Sequence, residues 1–256
     1  MYRQKFLSSM VWIMFNVRYV PIGQMACRPT LIIFLFLSLF AQAQIKVTNQ
    51  RLFDTVGFVP EYYPQRVAAF EKEPVVPGRI IFLGNSITQV GDWKKLLNDS
   101  TVINRGIAGD ITFGVLQRLD DVIRRQPSRL FLLIGINDIG KDIPDAVIAD
   151  NIRKIIERLQ AGTPSTKIYV QSLLAVNPDV PNFPQHYDKQ EHILNTNKLI
   201  KKVAEDSHCI YVNIHDLFTD GEGKLDAKYT RDGLHLAPGG EGYQKWVDYL
   251  RKQGYL

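Results

Sequence analysis

A three-layer α/β fold, with helices on both faces of a five-stranded parallel sheet, is predicted by the order and period of the apolar residues. Three observations carry this. Five short apolar runs fall at residues 80–83, 102–103, 130–134, 168–170 and 210–212. Between and after them lie stretches with helical apolar spacing, at 92–97, 112–125, 145–159, 186–205 and 240–252. No internal repeat or low-complexity tract breaks the alternation. Strands alternating with helices imply right-handed βαβ units and a parallel sheet covered on both faces. Five such strands suit a flavodoxin-like sheet. Its ligand site lies beyond the carboxyl ends of the strands, near the point where strand order reverses. Chemically active side chains should therefore follow strands directly.

Residues 1–43 stand apart from this pattern. The apolar run at 30–40 follows Arg28 and precedes Ala41-Gln42-Ala43. A basic region, an apolar region of roughly 7–15 residues and an A-x-A site make a secretory signal peptide. The run is shorter than the roughly 20 apolar residues that span a bilayer. The reading is export, periplasmic or extracellular, without a stable membrane anchor. The basic region is long, and a start at Met25 would shorten it.

Cleavage after Ala43 leaves 213 residues, enough for one sizeable core. It also removes Arg3, Lys5, Arg18 and Arg28 and no acidic residue, so the net charge falls from +5 to +1. The basic balance of the whole chain is thus no argument for a nucleic-acid partner. Cys27 leaves with the signal, and Cys209 alone cannot form an internal disulfide. Cys209 opens an apolar stretch and reads as a buried strand residue. Residues 44–78 form a polar, then Pro-punctuated leader, in which Tyr63, Val67 and Phe70 have the spacing of one helix.

The first strand ends in Gly84-Asn85-Ser86, a small-residue turn leading into a helix. A serine there either presents its hydroxyl at the sheet edge, close to free backbone N–H groups, or simply caps the helix. After the second strand comes Asn104-Arg105-Gly106-Ile107-Ala108-Gly109-Asp110, whose glycines would let backbone approach a ligand. After the third comes Gly135-Ile136-Asn137-Asp138; the Asn137 amide either aims donors into the same crevice or closes an Asx turn. Asp232-Gly233-Leu234-His235 precedes the last helix. A histidine titrates near neutral pH and can serve as base to a serine, best when a carboxylate holds its other nitrogen. Asp232 is near enough in sequence to do so.

Together, in this order, these four blocks resemble those of the GDSL-type, or SGNH, hydrolases, over roughly residue 79 to the C-terminus. The likeness is to the branch related to platelet-activating-factor acetylhydrolase subunits. The resemblance implies a serine ester hydrolase that needs no metal or organic cofactor. Ser86 would be its nucleophile, His235 its general base and Asp232 the acid orienting His235. The Ser86 and Gly109 N–H groups and the Asn137 amide would form the oxyanion hole. Gly109 takes that role because it stands five residues after Asn104, as the family motif spaces them. Asn104 and Asn85 would support the site, although the family's usual Gly-Asp-Ser reads Gly84-Asn85-Ser86 here. With export, the resemblance points to short-chain, acetyl esters, such as O-acetyl groups on carbohydrates. A lysophospholipase or thioesterase needs a sizeable apolar groove, for which the short loops after the strands offer little material. A non-catalytic glycan-binding domain is the remaining alternative.

Other residues are set aside. His186 and His192, six apart in one helical stretch, would face different sides rather than one ion. Asp220-Gly221-Glu222-Gly223 lacks the spaced acids of a calcium loop and reads as a turn. Lys198, Lys201 and Lys202 form a solvated helix face. The glycine-rich turns lack the lysine and spacing of nucleotide-binding loops. Trp93, just beyond the Ser86 turn, either lines a substrate cleft or packs.

Overall fold

The computed structural model describes residues 61–180 and 182–256. Residues 1–43, read above as a signal peptide, and the first half of the leader, 44–60, lie outside the described residues.

The expected leading helix is present as α1 (Tyr63–Lys72). Then follow β1 (Ile80–Gly84), α2 (Ser86–Val90), α3 (Trp93–Leu97), β2 (Ile103–Gly106), α4 (Thr112–Gln117) and α5 (Leu119–Arg124). The chain continues through β3 (Arg129–Leu133), α6 (Ile136–Ile139), α7 (Asp145–Gly162), β4 (Lys167–Gln171) and a 3₁₀ turn (Pro184–His186). It ends with α8 (Gln190–Asp206), β5 (Ile210–Val212), α9 (His215–Phe218) and α10 (Glu241–Lys252). The five strands form one sheet, all parallel, in the order β2-β1-β3-β4-β5. Strand order reverses between β1 and β3, so a crevice opens at their carboxyl ends.

The strands are buried on both faces. Ile81, Leu83, Leu130 and Phe131 have no exposed surface, which is why they read as continuous apolar runs rather than alternating ones. The long helices are amphipathic, with one stripe turned inward. In α7 the stripe is Ile148, Ile152, Ile155, Ile156 and Leu159, all buried. Such a stripe recurs at three and four residues because that spacing stays on one helix face.

Several expectations change. The stretch 112–125 is two short helices, because Arg118 takes a non-helical conformation (φ −113°, ψ 13°) between them. Its buried guanidinium is drawn under the sheet edge to bond Gly84 and Arg105. Helix α8 starts only at Gln190. Asp188, at φ +54°, breaks the backbone before it, so His186 and His192 do not share a helix. Residues 104–106 belong to β2 itself rather than to the turn after it. Cys209 lies just before β5, half-buried, and burial pushes its thiol up to about 11. Trp93 does not line a cleft. It is 1% exposed, stacks on Phe82 and donates its indole N–H to the Thr88 carbonyl.

Lys198, Lys201 and Lys202 are exposed, and the Asp220 carboxylate caps its own turn by accepting from Glu222 and Lys224 N–H. Among the described residues no helix is long and apolar enough to cross a membrane.

Candidate active site

Ser86 is the first residue of α2, immediately beyond β1. Asn85 caps that helix, its side-chain oxygen accepting from the Ile87 N–H. The cap is thus Asn85, and the Ser86 hydroxyl is left for other work. It lies 2.8 Å from His235 Nε2. His235 Nδ1 lies 2.8 Å from Asp232 Oδ2. The other Asp232 oxygen accepts from the backbone N–H of His235 and Leu234. These bonds hold the Asp232 carboxyl below its ordinary range against the opposing effect of burial. An ionised Asp232 favours the His235 tautomer with its proton on Nδ1, leaving Nε2 free to accept from Ser86.

The other predicted residues converge on the same place. Gly109 follows β2 at φ +76°, a left-handed conformation that L side chains rarely adopt. No acceptor meets its N–H among the described residues. Asn137, in α6 after β3, donates one amide proton to the Asp110 carbonyl at 2.9 Å, which fixes the plane of the amide. Asn104 is a brace. Its amide nitrogen lies within bonding distance of the carbonyls of Thr88, Gln89 and Gly91, and its oxygen accepts from Gly106 N–H. It thereby ties the end of β2 to the segment following Ser86.

Ser86, Gly109, Asn137 and His235 face a cleft of about 400 Å³. Its remaining wall includes Phe183, Gln185, His186 and Leu234. The sequence reading missed Phe183 and His186. They sit in the long connection after β4, which corrects the expectation of short loops there. Phe183 packs edge-on against His235. His186 is buried against Gly140, where a Cβ would come within 2.3 Å of the imidazole. Burial, helped by His235, Lys141 and Lys189, pushes His186 down to about 4, so it is neutral at working pH.

Beneath the cleft lies a second unanticipated cluster. Asp110 and Asp138 are both fully buried. Arg118 Nε donates to Asp110 at 2.9 Å. Asp138 accepts from the Thr112 N–H and hydroxyl, and Thr112 in turn accepts from the Asn151 amide. Burial pushes Asp110 up to about 6 and Asp138 up to about 7, with Asp110 adding to the rise at Asp138. A carboxyl whose folded pKa is raised contributes stability below its unfolded pKa. That contribution is lost as pH rises through the folded value. Asp138→Asn removes this loss, so its melting temperature relative to wild type should climb between pH 5 and pH 8. A difference that stays flat in paired thermal melts would contradict the assignment of Asp138.

The sheet order, with a serine–histidine–aspartate line at its switch point, is that of the three-layer α/β fold of the GDSL/SGNH hydrolases. The chain belongs to the GDSL-like lipase/acylhydrolase family, whose sequence model matches residues 82–245. It is 26% identical over 181 residues to the platelet-activating factor acetylhydrolase IB subunit alpha2 of Homo sapiens, covering 66% of this chain and 72% of that one. A solved structure from Streptococcus pneumonia, named for platelet activating factor, is 30% identical with a TM-score of 0.66, covering 85% and 98%. A GDSL-like lipase from Bacteroides thetaiotaomicron is 25% identical with a TM-score of 0.64, covering 75% and 96%. An acetyl xylan esterase shares the fold at 22% identity and a TM-score of 0.54, covering 68% and 98%.

Proposed function

We propose that this acylhydrolase is an exported serine esterase acting on short acyl esters, with O-acetylated carbohydrates as its substrate class. The observation that carries the reading is the continuous hydrogen-bonded line Ser86–His235–Asp232 opening on the cleft. His235 Nε2 takes the Ser86 proton as Oγ attacks the ester carbonyl. The resulting oxyanion meets the N–H groups of Ser86 and Gly109 and the free amide proton of Asn137. His235 then protonates the departing alcohol. Water, deprotonated by His235, releases the acyl group and restores Ser86. Asp232 stays ionised throughout and stabilises the imidazolium.

Phe183, His186 and Leu234 line the cleft beside Ser86 and His235, and Phe183 packs against the His235 ring, which favours a short acyl group there. The acetyl esters named for several similar proteins agree with this. Export rests on the basic, apolar and A-x-A segments of residues 1–43.

The test is a chain-length profile with p-nitrophenyl esters. The expected optimum is acetate, with turnover falling steeply beyond four carbons. An optimum at eight carbons or longer would replace this reading with a lysophospholipase or thioesterase. Folded protein that turns over no ester in the series would favour the glycan-binding domain.

A further inference from the structure

The leading helix lies outside the segment matched by the family and outside the four sequence blocks, yet it touches the oxyanion loop. Tyr63 and Phe70 of α1 bury themselves with Ile107, apart from the main core. Arg125 fastens the far end of the helix by donating to the carbonyls of Phe70 and Pro74. So anchored, the chain entering the helix places the Tyr62 hydroxyl on the carbonyl of Ala108. That carbonyl and the Gly109 N–H belong to one peptide group. The preceding peptide is pinned as well, since Ala108 N–H donates to Gln89 Oε1 at 2.7 Å.

We propose that Tyr62 is a positioning residue for the oxyanion hole, fixing the Ala108–Gly109 peptide and strengthening its N–H as a donor. The inference rests on the reading that Gly109 stabilises the oxyanion.

The physical argument is one of polarisation. When charge builds on the substrate oxygen, the Gly109 N–H is polarised and negative charge grows on the Ala108 carbonyl oxygen. A hydroxyl already bonded there stabilises that growth, as linked hydrogen bonds reinforce one another in a low-dielectric site. The gain is larger in the transition state than with bound substrate, so it falls on kcat rather than KM. Tyr62 keeps its proton at any working pH, because burial raises its pKa. The hydroxyl therefore acts as a donor throughout.

The experiment compares Tyr62→Phe with Tyr63→Phe. Tyr63 is the control: its ring packs with Ile107, but the hydroxyl that the substitution removes donates to the Gly114 carbonyl rather than to the Ala108–Gly109 peptide. Three quantities are read for each variant: kcat and KM on p-nitrophenyl acetate, the melting temperature, and the amide proton shift of Gly109 in labelled protein. For Tyr62→Phe, kcat should fall about three- to tenfold, the scale of one hydrogen bond. KM should stay within about twofold of wild type on the same grounds, and the Gly109 amide proton should move upfield. Tyr63→Phe should lower only the melting temperature. Equal losses of kcat in the two variants, or a Gly109 resonance that Tyr62→Phe leaves in place, would overturn the proposal. If wild type turns over no ester, the esterase reading fails separately. The Gly109 resonance then still decides whether Tyr62 polarises that peptide.

Discussion

Ser86→Ala is expected to lower kcat at least about 10³-fold while the protein stays folded. Among the described residues the hydroxyl it removes bonds only to His235, and the cap of α2 belongs to Asn85, so the local backbone keeps its support. The melting temperature should move by no more than a few degrees, the scale of one hydrogen bond at the edge of a domain this size. His235→Ala should cost a similar factor, because a serine without its base is a weak nucleophile. Residues acting as a unit are not additive, so the double variant should be little worse than either single one. Steady-state turnover of p-nitrophenyl acetate, with a thermal melt beside it, checks all three. Near-wild-type turnover by Ser86→Ala would remove the nucleophile from the mechanism and the esterase reading with it.

The residues easiest to read were those whose chemistry depends on local sequence. Asp232 and His235 lie three apart on one loop, so their contact needed no knowledge of the tertiary fold. Gly109 was legible through the family resemblance, whose motif sets it five residues after Asn104, and its positive φ supplies the physical reason for glycine. Trp93 was open to two readings, since an aromatic after a turn can face either way. Packing decided it, through Phe82 on β1 and Trp246 on α10. Phe183 reaches the cleft from a connection with neither helical nor strand period, and His186 read as the start of the next helix, whereas it lies in the 3₁₀ turn before it. Arg118 was hidden for the opposite reason. It sits within a good helical pattern, and its break in the helix arises from partners on β1 and β2 that are distant in sequence. Tyr62 likewise meets Ala108 only after the leader has docked.

Arg118→Met should be the most destabilising substitution near the site. Arg118 and Asp110 form a pair with almost no solvent contact, and Arg118 also donates to the carbonyls of Gly84 and Arg105. Removing one partner of a buried pair typically costs about 3–5 kcal/mol, because the other charge is left without compensation. For a domain of this size that is a fall of roughly 10 °C in melting temperature. The sign of the pH dependence follows from Asp110. Burial pushes it up to about 6 even with Arg118 beside it, and losing the guanidinium must push it higher still. A folded pKa raised in this way gives stability that is lost as pH rises through it. The deficit of Arg118→Met should therefore be smallest near pH 5 and widen toward pH 8. Adding Asp110→Asn separates the causes. Recovery of most of the deficit at pH 8 would assign it to the unpaired carboxylate. No recovery would assign it to the carbonyls of Gly84 and Arg105, and the role of Arg118 would be to tie β1 to β2 directly beneath Ser86.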